Sequence, residues 1–165
     1  MADDKELKRA KNVAYRYLMI RPRSGREMEQ KLADRQFPQE TIASVLVHLL
    51  EFGYIDDRKF AEQWAAGRVR TRGFGRRRIE QELRSKGISA EIIGETLAGL
   101  FEETSEIDIA RREAEKKLRT LGRFELEIRK RRLAGHLERK GFSSEIIRTI
   151  LRQASNVPVP SQLNQ

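Results

Sequence analysis

Between Arg68 and Arg78 the chain carries six arginines, at 68, 70, 72, 76, 77 and 78, and no carboxylate in eleven residues. Each guanidinium is a planar fork of donors that matches the oxygen pairs of phosphate or carboxylate. Such a run repels itself unless an anion sits nearby. Gly73 and Gly75 let the backbone turn inside it, and Phe74 between them is either a packing anchor or an exposed ring. The stretch suits DNA phosphates or an acidic protein patch. The opposing reading is a solvated loop and helix start balanced by Asp56, Asp57, Glu62, Glu80 and Glu82, since residues 53–104 hold ten cations and nine anions. Six like charges in one run exceed what a solvated face requires, which favours binding.

A second basic concentration comprises Lys116, Lys117 and Arg119, followed by Arg129, Lys130, Arg131 and Arg132. From residue 105 onward there are 14 cations and 8 anions, so this part supplies +6 of the formal net charge of +9. Glu113, Glu115, Glu125 and Glu127 stand at spacings that allow helical ion pairs, so binding and a solvated face are equally supported here.

Other chemistry finds less footing. Asp56-Asp57 could hold a divalent metal, but adjacent residues at a helix start point apart, and one of them is well placed to accept from the free N–H groups of a helix opening at 57 or 58. His48 and His136 have no second histidine at helical spacing and read as partly buried or surface residues, while Trp64 shares a face with Phe60 and reads as core. There is no phosphate-binding G-x-x-x-x-G-K-[ST] loop, no G-x-G-x-x-G and no H-E-x-x-H. With no cysteine, thiolate metal sites, disulfides and cysteine nucleophiles are excluded. The expectation is a non-enzyme without metal or cofactor.

The elements that must position the arginines are helices. Hydrophobic residues make up 38% and charged residues 36% of the 165, which disfavours one large core and favours smaller helical units. Met28, Leu32, Phe37, Glu40, Ile42 and Leu46 recur at an offset of 51 as Ile79, Leu83, Ile88, Glu91, Ile93 and Leu97, and 54 further on as Leu133, Leu137, Phe142, Glu145, Ile147 and Leu151. The turns Lys86-Gly87-Ile88-Ser89 and Lys140-Gly141-Phe142-Ser143 agree, with Arg35-Gln36-Phe37-Pro38 a looser copy. A helix precedes each pair, and Ser24-Gly25-Arg26-Glu27 spells a capping box. The pattern predicts an all-α chain of nine helices in three tandem three-helix repeats, at 5–53, 54–104 and 105–154, forming an elongated, curved body, then a disordered tail at 155–165. The first residues, Met1 to Arg9, are too charged for a secretory signal, and apolar runs such as Val45 to Val47 are far short of a membrane span, so a cytoplasmic setting is expected.

The run Phe52-Gly53-Tyr54-Ile55-Asp56-Asp57-Arg58-Lys59-Phe60-Ala61, then Arg72-Gly73-Phe74-Gly75 and Ile79 to Ile88, resembles the signature of the RecX regulatory proteins, as does Tyr17-Leu18 followed by Arg21-Pro22-Arg23-Ser24 and Glu27-Met28. The resemblance spans about residues 10–154. It implies tandem three-helix repeats and a role in DNA repair, recombination and the SOS response, exercised by lodging in the groove of the RecA filament on single-stranded DNA and restraining its ATPase, strand-exchange and co-protease activities. The expected partners are therefore the RecA filament and single-stranded or duplex DNA, directly or within the filament, with a monomer sufficient and no membrane involved. The residues leave an alternative open: a tri-helical unit with a tight turn is also the shape of a helix-turn-helix DNA-binding domain, in which Arg76 to Arg78 would open the recognition helix.

Overall fold

The computed structural model describes residues 4–155. The tail expected at 155–165 lies outside the described residues, apart from Ser155 at the end of the last helix. Among the described residues there are nine helices and no strand: α1 (Asp4–Leu18), α2 (Gly25–Asp34), α3 (Gln39–Glu51), α4 (Asp57–Arg72), α5 (Arg76–Ser85), α6 (Ala90–Glu103), α7 (Glu106–Thr120), α8 (Leu126–Lys140) and α9 (Ser144–Ser155). No helix among them is long and apolar enough to cross a membrane.

The repeated apolar positions explain why three helices fold together each time. Met28, Leu32, Ile42, Ile79, Leu83, Ile88, Ile93, Leu97, Leu133, Leu137 and Phe142 are all buried. The repeated acid, Glu40, Glu91 or Glu145, stays in the first turn of the third helix of its domain, where the helix dipole favours a negative charge. The turns ahead of α3, α6 and α9 also share a backbone. Gln36, Gly87 and Gly141 have φ of 62°, 77° and 89°, the left-handed conformation that ends a helix. Ser89 Oγ then accepts from the N–H of Ile92 and Ser143 Oγ from that of Ile146, both at 3.3 Å, whereas Pro38 precedes α3 without a side-chain cap.

The chain divides into two compact units. Among the described residues the first comprises 4–66 and 81–100, the second 67–80 and 101–155, so α4, α5 and α6 each contribute to both. In the first unit Ala10, Ala14, Met28, Leu32, Ile42, Val45, Leu49 and Ile55 form one core, flanked by Leu7, Tyr17, Phe37 and Leu46. In the second, Ile109, Ala110, Ala114, Leu133, Leu137, Phe142 and Ile150 form another, against which Val69, Phe101 and Ile147 pack.

Candidate polyanion-binding surface

Residues 67–80, with all six arginines of the cluster, belong to the second unit. The α4–α5 turn is fixed there by its backbone. Gly73 has φ of 58°, and a Cβ on it would lie 2.4 Å from the Glu113 carboxylate. Gly75 donates its N–H to the Lys140 carbonyl at 2.8 Å, and Arg77 donates its N–H to the Gly141 carbonyl at 3.1 Å. Lys140 Nζ donates to the Arg72 carbonyl, and Glu106 accepts the N–H of Arg76 at 2.8 Å.

This locking divides the cluster. Arg76 is half-buried, its Nε 4.0 Å from Glu106 and its guanidinium 4.8 Å over the Phe101 ring. Arg78 is exposed, but its guanidinium lies 5.5 Å over the half-buried Phe74, its backbone packs against Gly141, and it has a partner within the protein. Arg68 is half-buried and has a partner. Arg70, Arg72 and Arg77 are exposed, and among the described residues none of the three meets a carboxylate. Arg70 and Arg72 close the last turn of α4, at the negative end of its dipole. Arg76, Arg77 and Arg78 open α5, whose first turn holds no acid, so three cations face the positive helix end. Glu106 offsets part of that repulsion at Arg76.

Arg70, Thr71, Arg112 and Lys116 line a concavity in the second unit with Glu113 and Ile109. Burial raises the pKa of the Glu113 carboxyl, but hydrogen bonds from Lys116 at 2.8 Å and Lys140 at 2.9 Å, with their charges, outweigh it and leave the pKa lowered. The charge of Lys116 is thus spent within the protein, whereas Arg112 is exposed and has no acid partner among the described residues. Arg112 is absent from the sequence-based candidates because acids flank its helix position. Only the placement of α7 beside the end of α4 singles it out.

The rest of the second concentration is mixed. Lys130 pairs with Glu127 at 3.2 Å, and Arg132 lies 4.0 Å over the Phe124 ring. Arg131 is exposed, Lys117 and Arg129 are half-buried, and Arg129 Nε has no acceptor among the described residues.

The acid pair is committed to helix ends. Asp56 Oδ1 accepts the N–H of Lys59 at 3.0 Å, and Asp57 Oδ1 accepts the N–H of Gly25, the first residue of α2, at 2.8 Å. Among the described residues no group of three or more His, Asp or Glu is placed to hold a metal. His48 is half-buried with its Nε2 2.7 Å from the Tyr15 hydroxyl. His136 is half-buried too, and burial first, then the charges of Lys140 and Lys117, lower its pKa. Trp64 stacks on Phe60 at 5.6 Å and donates from Nε1 to Glu82 at 2.9 Å.

Comparison with known proteins gives these positions a frame. Three family models match in order: RecX, first three-helix domain, over residues 10–49; second three-helix domain, over 56–97; and third three-helix domain, over 104–151. The chain belongs to the RecX family. Regulatory protein RecX of Streptomyces coelicolor is 36% identical over 148 residues, covering 90% of this chain and 78% of the relative. Regulatory protein RecX of Mycolicibacterium smegmatis is 38% identical over 140 residues, covering 83% and 74%. The crystal structure of RecX from Lactobacillus salivarius has the same fold, with a TM-score of 0.81 at 24% identity over 93% of this chain and 99% of the other. A second crystal structure, of regulatory protein RecX, aligns with a TM-score of 0.78 at 26% identity, covering 88% and 71%.

Within RecX, the motif residues of this chain mostly hold the fold. Arg21 grips Glu27 through two hydrogen bonds, Arg23 lies 3.8 Å over the Tyr17 ring, and Ser24 with Glu27 forms the capping box. Arg58 pairs with Glu95 and Lys86 with Glu27, while Ile55, Phe60 and Ala61 are core.

Proposed function

We propose that this chain docks on the RecA filament formed on single-stranded DNA and restrains it, in the cytoplasm, as a regulator of recombination and repair. Membership of RecX, a family of regulatory proteins, supports the regulatory role. The observation that carries the docking is the division of the arginine cluster: Arg70, Arg72 and Arg77, with Arg112, remain exposed on a rigid frame and unneutralised among the described residues. Arginines held without an internal acid in a protein of net charge +9 suit a partner dense in phosphates or carboxylates. No catalytic role is assigned, because Asp56 and Asp57 cap helices.

The reading as an autonomous helix-turn-helix protein fares less well. A recognition helix offers the side chains of its first residues to base edges, whereas the Arg76 guanidinium is held by Glu106 and Phe101 and that of Arg78 lies over Phe74, which leaves Arg77 alone of the three without such a contact among the described residues.

The test is a titration of DNA-dependent ATP hydrolysis by preformed RecA filaments, with a DNA-only binding control. Inhibition is expected at concentrations below those needed to coat the DNA. An R70A/R72A/R77A variant should lose most of that inhibition while keeping its helical circular dichroism. Inhibition only at DNA-saturating protein would replace filament docking with competition for DNA, and unchanged inhibition by the variant would remove these arginines from the interface.

A further inference from the structure

The first unit holds a cationic cleft that the charge runs of the sequence do not reveal. It is lined by Arg9, Asn12, Val13 and Arg16 of α1 and by Arg35 and Phe37 of the α2–α3 turn. Three of these six residues are arginines and none is an acid. Some exposed or half-buried guanidiniums of the protein find a carboxylate, as Arg21 finds Glu27, Arg58 finds Glu95 and Arg111 finds Asp108. Arg9, Arg16 and Arg35 are exposed, and among the described residues none of them does. The acid adjacent to Arg35 is turned to another use: Asp34 accepts from Gln30 Nε2 at 2.8 Å.

The backbone beneath the cleft is the second observation. Gln36 is the one non-glycine residue with positive φ among the described residues, a conformation that is strained for an L side chain. The strain sets Arg35 and Phe37 on either side of it, both in the wall of the cleft. In the other two domains the same position is glycine and is covered, Gly87 by Arg26 and Gly141 by Arg78. In the first domain Gln36 is exposed, so the surface used for internal packing elsewhere faces outward here.

We infer that this cleft binds the backbone phosphates of single-stranded nucleic acid. Arg9 and Arg16 are seven residues apart on one helix, two turns or about 10 Å, close to the length of three stacked nucleotides at about 3.4 Å each. That spacing fits separate phosphates of one strand rather than a single small anion. Arginine forks bind phosphate oxygens bidentately, and the exposed part of Phe37 beside Val13 offers an apolar floor on which an unpaired base can stack. The site lies wholly in the first unit and is independent of the second-unit arginines.

The experiment measures fluorescence anisotropy of a labelled oligothymidine with the full-length protein, without recombinase, across a salt series. Each phosphate contact with a single strand contributes a slope of about −0.7 in log affinity against log salt. R9A/R16A/R35A is expected to flatten that slope by about 2 and weaken binding at low salt at least tenfold, while R9K/R16K/R35K keeps the slope. Should the triple variant lose helical circular dichroism, R9A and R16A alone replace it, each flattening the slope by about 0.7. An unchanged slope and affinity in the alanine variants overturns the site. Weaker binding to poly-glutamate without any change toward the oligonucleotide also overturns it, by giving the cleft to acidic protein. No filament is present, so either result leaves the docking proposal to its own test.

Discussion

Gly75 donates its backbone N–H to the carbonyl of Lys140 at 2.8 Å, and the bond has a counterpart between the two preceding turns. There, Ser24 Oγ donates to the carbonyl of Lys86 at 2.7 Å. In both places the turn between the first and second helices of one domain rests on the turn between the second and third helices of the next. In both, an acid at the start of the next domain caps the second helix, Asp57 at Gly25 and Glu106 at Arg76. Each junction lies inside one compact unit, so both units are assembled by the same device.

The junction sets what its glycines tolerate. A Cβ at Gly141 would stand 2.3 Å from the Arg78 backbone nitrogen, with φ at 89°, so both space and backbone conformation oppose it. Gly141→Ala should destabilise by about 3 kcal/mol or more, the left-handed cost plus displacement of a backbone segment. Gly53→Ala has φ of 68° but nothing within 4 Å, and should cost only about 1 kcal/mol. Gln36→Gly relieves the same conformation and should stabilise by up to about 1 kcal/mol, less the added chain entropy. Urea midpoints order the three variants, and equal losses at Gly53 and Gly141 would refute the packing argument.

Glu27 makes the first unit acid-sensitive. Burial raises its pKa, but hydrogen bonds from Arg21 and Lys86, with their charges, overcome this and bring it from the usual 4.5 to about 2. A folded-state pKa below the unfolded one means that the stabilisation is complete above about pH 4.5 and is lost as pH falls towards 2. Allowing for the partly exposed Arg21, the contribution is about 2 kcal/mol. Glu27→Gln should lose about that much at pH 7, and its stability should change less than wild type between pH 4.5 and 2. Parallel profiles in urea titrations across that range would show that Glu27 is not the acid-sensitive group.

The recurrence of Met28, Ile79 and Leu133 made the three-helix repeat legible, because burial against a common core demands that register. The capping box at Ser24 and the left-handed turns were legible for a similar reason, each being a local backbone requirement met by a few residues in a row. The junctions were not: Gly25 meets Asp57, and Glu27 meets Lys86, only after two domains have docked. The division of the arginine cluster was hidden for the same cause, since Arg76 and Arg77 are chemically equivalent neighbours until α7 brings Glu106 to one of them. Arg112 and the Arg9, Arg16, Arg35 cleft depend on residues far apart in sequence, so no local run of charge announced them.

Asp56 separates capping from metal chemistry. Its carboxylate accepts the Lys59 N–H at the start of α4, and asparagine supplies the same acceptor while ligating divalent cations poorly. Asp56→Ala should cost about 1 kcal/mol and Asp56→Asn only a few tenths. Neither midpoint should respond to millimolar magnesium. A wild-type midpoint that rises with magnesium and loses that response in Asp56→Asn would point to a metal instead.

Arg76 and Arg77 are adjacent, yet their substitution should have opposite consequences. Arg76→Ala removes a guanidinium that pairs with Glu106 and lies over Phe101, and should lower stability by about 1 kcal/mol. Arg77→Ala removes an exposed side chain with no acid partner among the described residues, so its thermal midpoint should stay near wild type. The partner's phosphates or carboxylates then see the reverse order: Arg77→Ala should weaken filament inhibition severalfold and reduce its salt dependence, while Arg76→Ala, once folded, should inhibit nearly as well as wild type. Thermal melts paired with ATPase titrations over two salt concentrations measure both effects. A stability loss at Arg77 together with an inhibition loss at Arg76 would reverse the division of the cluster and move the binding surface to the face that α7 covers.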